Sequence, residues 1–191
     1  MKKIIATLIV MLCVAGAAKA QDEINFERKR AIDSLALEKV RDLSKYVKIV
    51  GSKETPFSEA NRVIDRAEEL FMSDAEIGVS SLSSNQITYY RVRKYFEHLM
   101  RLNYDRVEIE WYNIEYVSDL QRQPDGTYVG VITIFQRFTG FNKEGLKEYS
   151  DITKKDITVY VKRKETQIGG RTIGFWDVLL GDMRVKETTD R

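Results

Sequence analysis

The chain holds one histidine, His98, and the imidazole is the side chain whose ordinary pKa suits a general base near neutral pH. Its helical neighbours Tyr95, Phe96, Leu99 and Leu102 define a buried face, and the spacing puts His98 beside that face, as a surface or boundary residue. One histidine cannot build a multi-histidine metal site, and the adjacent Glu97 points elsewhere on a helix, so no metal and no cofactor is expected. Thiol chemistry rests on Cys13 alone. The run Ser80-Ser81-Leu82-Ser83-Ser84 has no neighbouring histidine and no Gly-x-Ser-x-Gly elbow, and reads as a loop or strand end. Gly169-Gly170 reads as a hairpin turn, and neither a phosphate loop nor a dinucleotide fingerprint occurs in the sequence. No catalytic residue follows from these patterns.

Location is better marked than activity. Lys2 and Lys3, the apolar run Ile4 to Val14, and Ala18-Lys19-Ala20 ahead of Gln21 describe a secretory signal peptide over residues 1–20, cleaved after Ala20. The apolar run is about half the roughly 20 residues that a spanning helix requires, so no transmembrane anchor is expected after processing. Val10-Met11-Leu12 before Cys13 lacks the small residues of a lipid-attachment site. The expected product is cysteine-free and periplasmic or extracellular, stabilised by an ordinary core without disulfides. Processing removes Lys2, Lys3 and Lys19, so 31 basic residues become 28 against 29 acidic ones. Interspersed charges without a basic stripe exclude nucleic acid as a primary partner.

Residues 21–27 read as a flexible N-terminus and 28–191 as one domain. From Arg28 to about Val50, Ile32, Leu35, Ala36, Val40, Leu43 and Val47 recur at helical steps, with Gly51 as a stop. After Pro56, Ser58 reads as the N-cap of a second helix carrying Val63, Ile64, Ala67, Leu70 and Phe71 on one side. A third helix is expected from Tyr89 to Leu102. Between the last two, Ala75, Ile77 and Val79 alternate as one short strand. Beyond Arg106 the period is two: Val107, Ile109 and Trp111 share a face, then Tyr112, Ile114 and Tyr116, a phase change that predicts a bulge near Tyr112-Asn113. Pro124-Asp125-Gly126 is a turn, Tyr128 to Phe138 a covered strand, Tyr149 to Arg163 a strand with Ile157, Val159 and Val161 inward, and Ile173 to Lys186 the last. This order predicts an α+β fold, a curved antiparallel sheet wrapped on three helices of the N-terminal half.

The block Ala67-Glu68-Glu69-Leu70-Phe71-Met72-Ser73-Asp74-Ala75-Glu76-Ile77-Gly78-Val79-Ser80-Ser81 resembles the helix-to-strand junction of the nuclear transport factor 2-like superfamily, the cystatin-like α+β cones, in a secreted bacterial form. The resemblance implies a cone with an apolar internal cavity, and it carries fold rather than function. Dehydratase-like and cyclase-like members use a histidine, or a His-Asp pair, inside the cone. Isomerase-like members use a carboxylate base opposite a tyrosine and a protonated Asp. Acids of the right chemistry are Asp151, Asp177 and Asp182, and phenols are Tyr112, Tyr116, Tyr128 and Tyr160. Asp177, between Trp176 and Val178, stands out as a carboxylate in an apolar strand, although alternation turns it away from both neighbours. Asp177, Asp151 and Tyr112 are the candidates of this enzymatic reading.

Aromatic residues crowd the strand half. Tyr95, Trp111, Phe135 and Trp176 are expected to line the cavity or the core. In the absence of a recognisable catalytic constellation, the expected function is a non-catalytic binding or scaffold domain of the cell envelope, taking a partner protein, a glycan or a small apolar ligand. The resemblance leaves a homodimer through the sheet open as well. The alternative is an isomerase- or lyase-type enzyme with an Asp/Tyr pair in the cone. Two or more ionisable groups converging in the cavity would favour it.

Overall fold

A computed structural model describes residues 24–190. The signal peptide expected over residues 1–20 lies outside these. The chain divides into two units, and of the described residues 24–33 belong to the first and 34–190 to the second. In the first, the Asn25 side chain accepts a hydrogen bond from the Arg28 N–H at 2.9 Å. That cap starts helix α1 (Phe26–Gly51) two residues ahead of the apolar periodicity and inside the segment expected to be flexible.

The second unit is built on three helices and six strands. Ala36, Val40, Leu43, Val47 and Val50 of α1 are fully buried, whereas Leu35 turns to solvent. Helix α2 (Phe57–Glu68) buries Ala60, Val63, Ile64 and Ala67. Its N-cap is Pro56, whose carbonyl accepts from the Glu59 and Ala60 N–H groups, so Ser58 sits inside the first turn rather than capping it. Strands β1 (Glu76–Ser81) and β2 (Ser84–Arg91) form a hairpin that leads into helix α3 (Val92–Met100). The first residues expected in this helix therefore belong to β2, where Thr88, Tyr89 and Tyr90 pair with Val79, Gly78 and Ile77. β-branched and aromatic residues favour that extended state.

Four long strands follow: β3 (Arg106–Arg122), β4 (Tyr128–Phe141), β5 (Lys147–Ile168) and β6 (Arg171–Thr189). The sheet order is β2-β1-β6-β5-β4-β3, antiparallel except where Ile77 of β1 meets Met183 of β6 in parallel. The β3–β4 register shifts between Tyr112 and Glu115, and Asn113 takes a positive φ of 49°, which is the predicted bulge. The junction that carries the resemblance is tied to β6: Met72 donates to the Leu180 carbonyl and Leu180 to that of Leu70. At the β3–β4 turn the Asp125 carboxylate accepts from the Thr127 N–H and hydroxyl, with Gly126 at φ 83°.

Along β5 every second residue from Asp151 to Val161 is buried. Ile157, Val159 and Val161 meet Ile132, Ile134, Val178 and Leu180 in a dry core, closed by Phe96, Ile64 and Leu43 of the helices. Asp151, Thr153 and Lys155 continue the same face at the other end of the strand, where the core gives way to a cavity. The second unit thus has the α+β cone architecture that the nuclear transport factor 2-like resemblance implies.

Candidate active site

Strand parity places the polar groups. Side chains on one strand face recur every second residue, so the apolar set Ile157, Val159 and Val161 obliges Lys155, Thr153, Asp151 and Tyr149 to point inward too. They enter a cavity of about 350 Å³. Gln136 and Phe138 of β4 lie beside them, directly paired with Thr153 and Asp151. Ile109 of β3 supplies one wall, Tyr95, His98 and Leu99 of α3 another, and the β1–β2 hairpin from Val79 to Tyr90 the third.

Asp151 is only 4% exposed. The Tyr149 hydroxyl donates to its Oδ2 at 2.6 Å, and that phenol oxygen in turn accepts the Leu82 N–H at 2.9 Å. The serine-rich segment is therefore the hairpin that anchors Tyr149. Burial holds the Asp151 carboxyl above the ordinary carboxylate range, opposed by the Tyr149 bond and the more distant charge of Lys155. Burial and the bond to Asp151 push Tyr149 up to about 12, so its proton stays in place at neutral pH.

Lys155 is 2% exposed, and its Nζ lies over the Tyr95 ring at 5.9 Å. Among the described residues no carboxylate is in ion-pair contact with it and no hydrogen bond reaches it. Desolvation lowers its ammonium to about 8, with the Asp151 charge acting the other way. Tyr95 is raised by desolvation alone, which leaves its hydroxyl a neutral donor at the cavity wall. Trp111 donates its indole N–H to the Gln136 carbonyl oxygen at 3.1 Å. Since an indole N–H can only donate, the Gln136 amide is oriented with its NH₂ group free for the cavity. Tyr104 lies flat across Gly140, where a Cβ would come within 2.5 Å of its ring, and packs on Phe138 at 5.7 Å. His98 stands exposed at the rim, its ring stacked on Tyr90 at 5.3 Å.

Of the residues singled out from sequence, Asp151 and Tyr95 line this cavity, and Trp111 touches it through Gln136. Phe135 and Tyr112 do not: they stack at 5.7 Å on the opposite sheet face, flanked by Arg137 and Lys154. Trp176 packs edge-on against Tyr128 towards the apolar end of the sheet. Asp177 pairs with Lys164 at 2.5 Å, outside the cavity. Asp182 accepts the Glu76 N–H and pairs with Arg184. Tyr160 fills the space over Gly181, and the side chain of Tyr116 is outside the description. Tyr149 and Lys155 were not singled out, although the inward parity of β5 already contained them.

No protein-family profile and no curated protein sequence matches the chain. Two solved structures are similar to it. One is a candidate scytalone dehydratase from Novosphingobium aromaticivorans, with 13% identity, a TM-score of 0.45, and coverage of 87% of this chain and 92% of that one. The other is a hexachlorocyclohexane dehydrochlorinase (LinA, type 2), with 15% identity, a TM-score of 0.40, and coverage of 85% and 91%. Both are named as enzymes. The expectation of a non-catalytic binding or scaffold domain is corrected here. It rested on the absence of converging ionisable groups, and the cavity brings such groups together: a buried carboxylate, the phenol bonded to it and a buried amine.

Proposed function

We propose that the cavity is the active site of an isomerase- or lyase-type enzyme that removes a proton from carbon with Asp151 as general base. The observation that carries this reading is the bond of 2.6 Å between Tyr149 and the buried Asp151 in a cavity that also holds Lys155. A carboxylate whose pKa burial raises is a stronger base than an exposed one, and the Tyr149 hydroxyl bond supports its ionised form. Tyr149 is a positioning residue, because both of its hydroxyl interactions are taken by Asp151 and Leu82.

In the reaction, Asp151 takes a proton from a carbon next to an electron-withdrawing group, and the electron pair left behind is delocalised onto that group. Return of the proton at another carbon completes an isomerisation, and loss of a leaving group from the neighbouring carbon completes an elimination. Tyr95, held neutral at the wall, donates to the oxygen on which charge develops. The aromatic and aliphatic lining from Tyr104, Phe138, Ile109 and Leu99 excludes water and selects a small, largely apolar substrate. Export to the periplasm or exterior is part of the proposal and rests on the pattern of residues 1–20.

The test is proton exchange. A panel of small β-hydroxy ketones and β-hydroxy acids is incubated in D₂O and followed by proton NMR. Wild-type protein is expected to catalyse α-deuteration or elimination of at least one member, and Asp151→Asn to lose it by roughly 10²-fold or more. Equal rates for the two proteins would overturn the assignment of the base.

A further inference from the structure

Lys155 is the group that the proton transfer does not require. A cationic side chain that is 2% exposed, lines the cavity beside Tyr95 and has no contacting counter-ion among the described residues is expensive to bury, and a buried charge is ordinarily paired. Among the described residues the sheet provides no contacting partner for it. Asp151 is two pleats away on the same face, its backbone about 13 Å along the strand at roughly 3.3 Å per residue, so its charge acts on the amine without contact, and its carboxylate is already engaged by Tyr149. Between the two stands Thr153, also buried, with the Gln136 amide facing it across β4. Neutral polar groups thus separate the acid from the amine on this face, and the amine end alone carries a positive charge.

We infer that Lys155 is the anchor for the carboxylate of the substrate, so that this cavity takes a small monocarboxylic acid with an apolar body. The ligand supplies the missing counter-ion. Its carboxylate meets Lys155, its body lies against Tyr104, Phe138 and Ile109, and its reacting carbon is directed towards Asp151. Calling this acid the substrate rests on the reading of the cavity as an active site. Its binding to Lys155 does not.

Binding is tested with benzoate, phenylacetate and hexanoate, each against its neutral amide, by calorimetry on wild type, Lys155→Met, Lys155→Arg and Asp151→Asn. At least one acid is expected to bind wild type roughly tenfold or more tightly than its amide. Lys155→Met should abolish that preference while leaving the amide unaffected, Lys155→Arg should retain part of it, and Asp151→Asn should keep it. Folding of each variant is checked by circular dichroism and its thermal midpoint. Acids that bind no better than amides, or a preference that survives Lys155→Met, would overturn the inference, as would failure of every acid to bind. Loss of proton exchange in the panel above with acid binding intact would count against the enzymatic reading alone.

Discussion

At the scale of single residues, the site is a set of groups whose ionised forms the fold disfavours. Lys155 carries the clearest consequence. Its ammonium, near 10.5 in an unfolded chain, is brought down to about 8 in the fold, so between these values the folded state binds fewer protons than the unfolded one. Stability therefore rises with pH across that window, and the cost of the buried charge is fully present below pH 8, at roughly 3 kcal/mol from about 1.36 kcal/mol per pKa unit. Lys155→Met is expected to stabilise the protein at pH 7 by up to about that amount, with the advantage shrinking as pH rises from 8 to 10.5, as read by urea denaturation. An advantage that did not change with pH would mean that the charge is not what the substitution relieves. Tyr149 has the opposite character. Its bond to Asp151 lowers a carboxyl that burial raises, so Tyr149→Phe should move the acid limb of the activity profile to higher pH, with the plateau reduced less than in Asp151→Asn. An unmoved limb would show that Tyr149 does not set the state of the base.

At the scale of elements, strand β5 brings the site together, and it also shows how far the chemistry was legible beforehand. The alternation of Ile157, Val159 and Val161 marked the inward face, and extending the parity towards the N-terminus reaches Lys155, Thr153, Asp151 and Tyr149. Asp151 was within reach as one of three acids, but periodicity says only that a polar residue faces inward, not that a cavity rather than a clash awaits it. Asp177 attracted notice for its apolar neighbours, yet those neighbours belong to the other face, and Lys164 pairs with it. Phe135 failed to reach the cavity by the same parity, since Ile134 and Gln136 take the inner positions on β4. Strand β2 was hidden because its Tyr89 and Tyr90 also fit the helical spacing of α3, and only pairing with β1 decides between the two. The close approach of Tyr104 to Gly140 is a long-range contact with no local signal. It gives the element-scale prediction: Gly140→Ala places a methyl group 2.5 Å from the Tyr104 ring and should cost about 1–3 kcal/mol in denaturant, with most of the loss recovered when Tyr104 is also changed to Ala. A loss that Tyr104→Ala leaves untouched would place the strain elsewhere.

At the scale of the second unit as a whole, the sheet face is divided between two tasks. The apolar half of β5 joins the buried core, and the polar half lines the proposed active site, where groups held for chemistry are expected to cost stability. The two charges at the polar end are coupled: Asp151 raises the pKa of Lys155, and Lys155 lowers that of Asp151. Removing the carboxylate therefore leaves the ammonium with no compensating charge and makes it more expensive to bury. It follows that Lys155→Met should gain more stability in an Asp151→Asn background than in wild type, by about 0.5 kcal/mol or more where Asp151 is ionised. Four proteins, wild type, each single variant and the double variant, measured by urea denaturation at pH 7, close the cycle. The double variant should be the most stable of the four and should show neither proton exchange nor a preference for acid over amide. Additive single effects would mean that the amine and the carboxylate do not sense each other across the cavity, and the common site would separate into two unrelated groups.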